Sequence, residues 1–151
     1  MNAIELLKAD HKVVDALFQK VEATEESEHP PIFEKIKAEL DVHAHIEEVI
    51  FYPKLIAEGD KELVDLVKEG LEEHHQIKMF LREIASLADE SDKFEPKLTV
   101  LIEDTQHHVM EEEGEMFKMV EEQFDAEVLE EMGEAMEEEK AKFQKSNAAK
   151  A

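Results

Sequence analysis

The sequence predicts an all-α protein that ends in an acidic helix. Three observations predict it. Glu, Lys, Leu and Ala, all strong helix formers, dominate the composition. Only four Gly and four Pro interrupt the 151 residues, which leaves few turns. Apolar residues recur at three- and four-residue intervals rather than alternating. With 42% hydrophobic residues the chain can bury one core, and its length suits one domain.

Asn2 can cap a first helix to about Ala23, with Ile4, Leu7, Val14, Leu17, Phe18 and Val21 on its apolar face and His11 close to that face. The break TEESEHPP follows, holding His29 in a loop, and Pro31 can open the next helix. That second helix is expected from Ile32 to about Glu58, with Phe33, Ile36, Leu40, His43, Glu47 and Ile50 in helical spacing. Pro53 should kink it or end it early. Gly59 and Asp60 supply a stop and a cap. A third helix covers roughly Lys61 to Ala88 through Leu63, Leu66, Val67, Leu71, His74, Ile77 and Leu81, and Gly70 costs it some helicity. After the turn DESDKFEP, a fourth helix runs from near Pro96 to about Glu122 through Leu98, Leu101, Ile102, Thr105, His108, Glu112 and Met119. Asp125 can cap a last helix to about Gln144. Its apolar positions are thin (Val128, Leu129, Met132, Met136, Phe143), so it is expected to pack loosely or to serve a partner. The domain reading is a bundle over 1–122, an acidic helix over 123–145 and a frayed tail over 146–151.

Charge narrows the function classes. With 40 acidic against 17 basic residues the net charge is −23. Such a surface repels phosphate backbones and anionic lipid, so no nucleic acid and no membrane partner is expected. Without cysteine there is no thiolate metal site, iron–sulfur cluster or cysteine nucleophile. The N-terminus lacks an apolar leader and no stretch reaches transmembrane length, so the chain is expected to be cytoplasmic.

The chemistry lies in His43-Ala-His-Ile-Glu47 and its near-copy His108-Val-Met-Glu-Glu112. Residues four apart lie one above the other on a helix, so imidazole and carboxylate form a two-ligand clip for a divalent metal. A longer repeat frames the clips. His11 and His74 are 63 residues apart, and His43 and His108 are 65 apart. The chain thus reads as two helical hairpins, each giving one lone His and one His-x-x-x-Glu clip. In a four-helix bundle these six side chains can converge at mid-depth, the arrangement of carboxylate-bridged two-metal sites. The surface alternative, a His–Glu ion pair one turn apart, explains neither the apolar setting of the clips nor their repetition. The other histidines are read as non-ligands, with His45 facing solvent and His75 and His107 at the rim or behind a ligand. Glu111, Glu113, Glu115 and Glu137–Glu139 read as a solvated face, and Met79, Met110, Met116 and Met119 as core filler.

The stretches ADHKVVDALF, HAHIEEVIFYP, EEHHQIK and HHVMEEEGEMF, in this order, resemble the hemerythrin-like (HHE cation-binding) domains over about residues 1–120. The resemblance implies an antiparallel up-down-up-down four-helix bundle, with the acidic C-terminal helix added to it. It implies that this bundle holds two non-heme iron ions bridged by oxygen and carboxylate, with His11, His43, Glu47, His74, His108 and Glu112 as ligands and both glutamates as bridges. Manganese or zinc suits the same imidazole and carboxylate set. The sequence departs from oxygen-carrying members at Lys78, where a further ligand histidine would stand, and in using a glutamate at 112 rather than an aspartate one residue later. Water, Glu48 or Tyr52 is expected to fill the gap. Val14, Ile46, Ile50, Ile77 and Leu81 are expected to line an apolar pocket, with Tyr52 near the metals.

Four readings of function follow. The first is a binder of O2, NO or peroxide for storage, delivery or sensing. The second is an enzyme of catalase-like or peroxidase-like activity on H2O2 or NO-derived oxidants in stress defence. Iron handling is the third, and metals of purely structural use the fourth.

Overall fold

The computed structural model describes residues 1–150, with side chains to Ala148. It is an all-helical bundle of five long helices. Helix α1 is Ala3–Glu22. Asn2 caps it, accepting from the Glu5 N–H while Glu5 accepts from the Asn2 N–H. Helix α2 begins as His29–Ile46, passes through a π turn Glu47–Phe51 and resumes as Tyr52–Glu58. Helix α3 is Lys61–Ala85, capped by Asp60. Helix α4 repeats the α2 pattern as Phe94–Glu111, a π turn Glu112–Met116 and Phe117–Gln123. Helix α5 is Ala126–Lys150, its first turn capped by Asp125 at 3.0 Å from the Val128 N–H.

Several local expectations are corrected. Helix α2 starts three residues earlier than Ile32, so His29 is not in a loop. It is buried in the first turn, where its ring donates to the Glu95 carboxylate at 2.8 Å and to the Val21 carbonyl at 2.8 Å. Pro53 neither ends nor breaks α2. The π turn precedes it, and Pro53 then sits at the second position of the following α run, where a missing N–H costs little. Helix α3 ends at Ala85 rather than Ala88, and α4 opens at Phe94.

Helix α5 is not loosely held. It lies against α1 and α2, with Leu129, Met132 and Met136 buried, and it continues to Lys150, so the expected frayed tail is helical over 146–150 while Ala151 lies outside the described residues. The close approach depends on Gly133: a Cβ there would sit 2.1 Å from the Met1 carbonyl oxygen. Of the methionines, Met116 is buried, whereas Met79 and Met110 are exposed.

Two apolar cores are stacked along the bundle. One joins Leu7, Ile46, Phe51, Leu55, Leu63, Val67, Phe117, Val120 and Met136. The other joins Val14, Phe18, Phe33, Ile36, Leu40, Ile77, Leu81, Leu98 and Leu101. Along every helix from α1 to α4 one buried histidine falls between them: His11 follows Leu7 and precedes Val14, His43 lies between Leu40 and Ile46, His74 between Val67 and Ile77, and His108 between Ile102 and Met116. A polar layer therefore divides an otherwise apolar interior.

Candidate metal centre

Each π turn begins on the glutamate of a clip, Glu47 or Glu112. In an α-helix two residues five apart point about 140° away from each other. The wider turn, in which the Tyr52 N–H reaches the Glu47 carbonyl and the Phe117 N–H reaches the Glu112 carbonyl, brings them to one side. Glu47 and Tyr52, and likewise Glu112 and Phe117, are thereby all buried, at 0–1% exposed.

The four histidines share one orientation. Every Nδ1 donates outward to a carboxylate: His11 to Glu113 at 2.6 Å, His43 to Asp10 at 3.1 Å, His74 to Glu48 at 2.8 Å and His108 to Glu73 at 2.6 Å. Such partners fix the ring orientation and leave Nε2 directed inward. The Nε2 atoms meet the two buried glutamates. His43 Nε2 is 3.0 Å and His74 Nε2 3.2 Å from Glu47 Oε1, and His11 Nε2 is 3.2 Å from Glu112 Oε1. His108 Nε2 is 3.4 Å from Glu112 Oε2 and 3.1 Å from His74 Nε2.

Proximity here is not hydrogen bonding. His11 Nε2, His43 Nε2, both Glu47 oxygens and Glu112 Oε1 are buried without a hydrogen-bond partner. Unsatisfied buried polar atoms are costly, and these five lie together in the polar layer, where a cation could satisfy them. The atoms form two groups, His11, His43 and Glu112 in one and Glu47, His74, His108 and Glu112 in the other, each within 4.8 Å and able to hold a metal ion. Glu112 belongs to both. The donor set of imidazole and carboxylate without sulfur fits a divalent first-row metal.

Electrostatics shows how tightly the groups are coupled. Burial alone would lower His43, but Glu47, with help from Asp10, raises it to about 10. Burial opposes charging of His108 too, and Glu112 outweighs it to push that imidazole well above the ordinary histidine range. Glu48, which burial would raise, is instead held at about 2 by His74 and Lys78.

Lys78, the departure from the expected ligand pattern, does not reach the inner atoms. Its ammonium donates to Glu48 at 2.6 Å, and Glu48 in turn holds His74. Glu48 thus stands behind a ligand rather than in the gap. Tyr52 stands inside: its hydroxyl donates to Glu112 and lies 3.4 Å from both His74 Nε2 and His108 Nε2. Gly70 makes room for it, since a Cβ there would be 3.2 Å from the Tyr52 hydroxyl.

An apolar cavity of about 20 Å³ adjoins the four rings, lined by Val14, Leu40, Ala44, Ile77, Leu81 and Val109. Ile46 and Ile50, expected there, pack instead in the core at the other side of the polar layer. Glu113, read from sequence as solvated, supports His11, while Glu115 is exposed. His45 does not face open solvent. It is half-covered by α5, 2.9 Å from Glu139 and with its ring 4.4 Å from that of Phe143. His75 and His107 are exposed.

The fold and site define a class, helical-bundle proteins with a buried histidine–glutamate cation centre. The hemerythrin HHE cation binding domain model matches residues 2–120, and the chain belongs to that family. The crystal structure of a hemerythrin HHE cation binding domain-containing protein from Mycobacterium kansasii is similar, with a TM-score of 0.80 and 27% identity, covering 99% of this chain and 91% of that one. Among curated proteins, a DNA nickase from Nostoc is 24% identical over 148 residues, 95% of this chain and 40% of the nickase. An uncharacterized Mycobacterium tuberculosis protein is 43% identical over 61 residues, 39% of this chain and 38% of that protein. The aligned segments span about two fifths of these curated relatives.

Proposed function

We propose that this chain is a non-heme di-iron protein that binds dioxygen or a related small oxidant, NO or H2O2, for storage, delivery or sensing. The observation that carries the reading is the shared Glu112, which joins the pair His11 and His43 to the pair His74 and His108, each imidazole backed by its own carboxylate. His11, His43, Glu47, His74, His108 and Glu112 would hold the ions, and the Tyr52 hydroxyl would stand beside them where Lys78 offers no ligand. Iron held there would supply reversible redox chemistry toward a small oxidant.

The protein's own groups do the rest. The four carboxylates behind the rings keep each Nε2 aimed inward and raise its basicity. Val14, Ile77 and Leu81 keep water from the ring edges, and the cavity beside them admits one molecule of about water size. Residues 1–122 form the binding unit, with α1–α4 in up-down-up-down order, and 123–145 form a helix packed on it. Among the described residues no helix is long and apolar enough to cross a membrane, and the proposed location is cytoplasmic. The net charge of −23 counts against holding a DNA backbone, whatever the likeness to part of a nickase.

The test is spectroscopic. Ferrous protein prepared without air is exposed to oxygen, then purged. A charge-transfer band that appears and then fades on purging supports binding, and a band that persists through purging sinks it. A second reading, peroxide turnover, has one observation in its favour: the Tyr52 hydroxyl places a proton donor among Glu112, His74 and His108. Peroxide decay by the iron-loaded protein, slowed in Tyr52→Phe, would favour it over reversible binding.

A further inference from the structure

The segment matched by the family ends at residue 120, yet a residue 20 positions further on touches the support of the centre. Asp10 is 4% exposed, and its two oxygens have one polar partner each. Oδ2 accepts from His43 Nδ1 at 3.1 Å, and Oδ1 accepts from Lys140 Nζ at 2.6 Å. A buried carboxylate without a second partner is free to rotate and is costly to keep charged. We propose that Lys140, on α5, is a positioning residue for the His11 and His43 half of the centre: it holds Asp10 so that Asp10 holds His43. This rests on the two-metal reading above.

The other half supplies an internal comparison. There Lys78 donates to Glu48 at 2.6 Å and Glu48 accepts from His74 at 2.8 Å, the same order of lysine, carboxylate and imidazole. Each half thus has one histidine whose carboxylate is fixed by a lysine. In the His74 half all three residues lie within the family-matched segment, and in the His43 half the lysine comes from the added helix.

Docking of α5 does not depend on Lys140 alone. Leu129, Met132 and Met136 are buried, Glu139 meets His45 and Phe143 lies against the same ring. Replacing Lys140 by Met should therefore leave the helix in place while freeing Asp10. The direction of the effect also separates it from general electrostatics. Losing one cation takes the net charge from −23 to −24, which would draw metal ions more strongly, whereas loss of positioning weakens binding.

The experiment loads the full chain with Co2+, following uptake by absorbance and the ring protons by NMR in water. A His bound through Nε2 with its Nδ1–H held by a carboxylate gives one shifted, exchangeable resonance. Wild type is expected to take two Co2+ and show four such resonances. Lys140→Met should lose the His43 signal to solvent exchange, keep the other three and bind one of the two ions about tenfold more weakly. Lys140→Arg should restore the pattern, and the exposed control Lys142→Met should leave it unchanged. Four retained signals with unaltered affinities in Lys140→Met would overturn the role of Lys140 alone. Loss of all four signals in that variant would also overturn it, by showing a general loosening. A wild type that takes fewer than two Co2+ overturns the two-metal reading, and this role with it.

Discussion

The Tyr52 hydroxyl donates to Glu112 across 60 residues of sequence, joining the last part of α2 to the clip of α4. Gly70 on the facing helix packs closely beside the phenol, where an added Cβ would stand 3.2 Å from the hydroxyl. Tyr52→Phe removes the donor and leaves a buried carboxylate oxygen with one partner fewer. The expected cost to the metal-free protein is about 1–3 kcal/mol, read by urea denaturation. A change under a few tenths would mean that the hydroxyl contributes nothing to holding Glu112.

Ligand removal should be graded by position. His43→Ala and His108→Ala each strip one half, and each is expected to lower metal content from two ions to one. Glu112→Ala strips the residue common to both halves and should reduce tight binding at both. Equilibrium dialysis followed by metal analysis checks this. Equal metal content in Glu112→Ala and wild type would remove Glu112 from the centre.

The pH dependence has a definite sign. The folded-state value of His43, about 10, lies above the ordinary histidine value of 6.5. Its protonated form therefore stabilises the metal-free fold fully below about pH 6.5, and that contribution is lost as pH rises through 10. Metal binding needs the unprotonated Nε2, so affinity should rise over the same window while protons are released. Thermal unfolding of metal-free protein between pH 6.5 and 10 should show a falling midpoint. A midpoint that climbs with pH across this range contradicts the assignment.

At α5, Gly133→Ala forces a Cβ against the backbone of Met1 and Asn2. Overpacking of this kind costs about 1–3 kcal/mol, and it should exceed the roughly 1 kcal/mol that Ala gains over Gly in helix propensity. A lower melting temperature for Gly133→Ala is expected. A higher one would show that the N-terminus can move aside without loss.

Much of this architecture is legible in the chain. His11, His43, His74 and His108 stand out because each interrupts an apolar stripe, and the caps at Asn2, Asp60 and Asp125 follow from side-chain chemistry alone. Other features are not legible, for physical reasons. The π turns at Glu47 and Glu112 do not show in the hydrophobic spacing, which continues through both at helical intervals. The carboxylates behind the rings are hidden among 40 acidic residues. Asp10, beside His11 in sequence, supports His43 instead, a pairing that only the packing of α1 on α2 creates. His29 looked like a loop residue because Pro30 and Pro31 follow it, yet prolines in a first turn open a helix as readily as they end one. His45 faces away from the centre as its spacing requires, but α5 covers that side, and nothing in the sequence of α2 foretells a fifth helix there.

Metal stoichiometry tests the central claim most directly. The full chain is titrated anaerobically with ferrous iron, and the protein-bound metal is counted after removal of the loosely attracted excess. Saturation is expected at two ions per chain, and at clearly less than two in Glu112→Ala. Saturation at one ion, or uptake that rises without a plateau as an acidic surface alone would give, would contradict it.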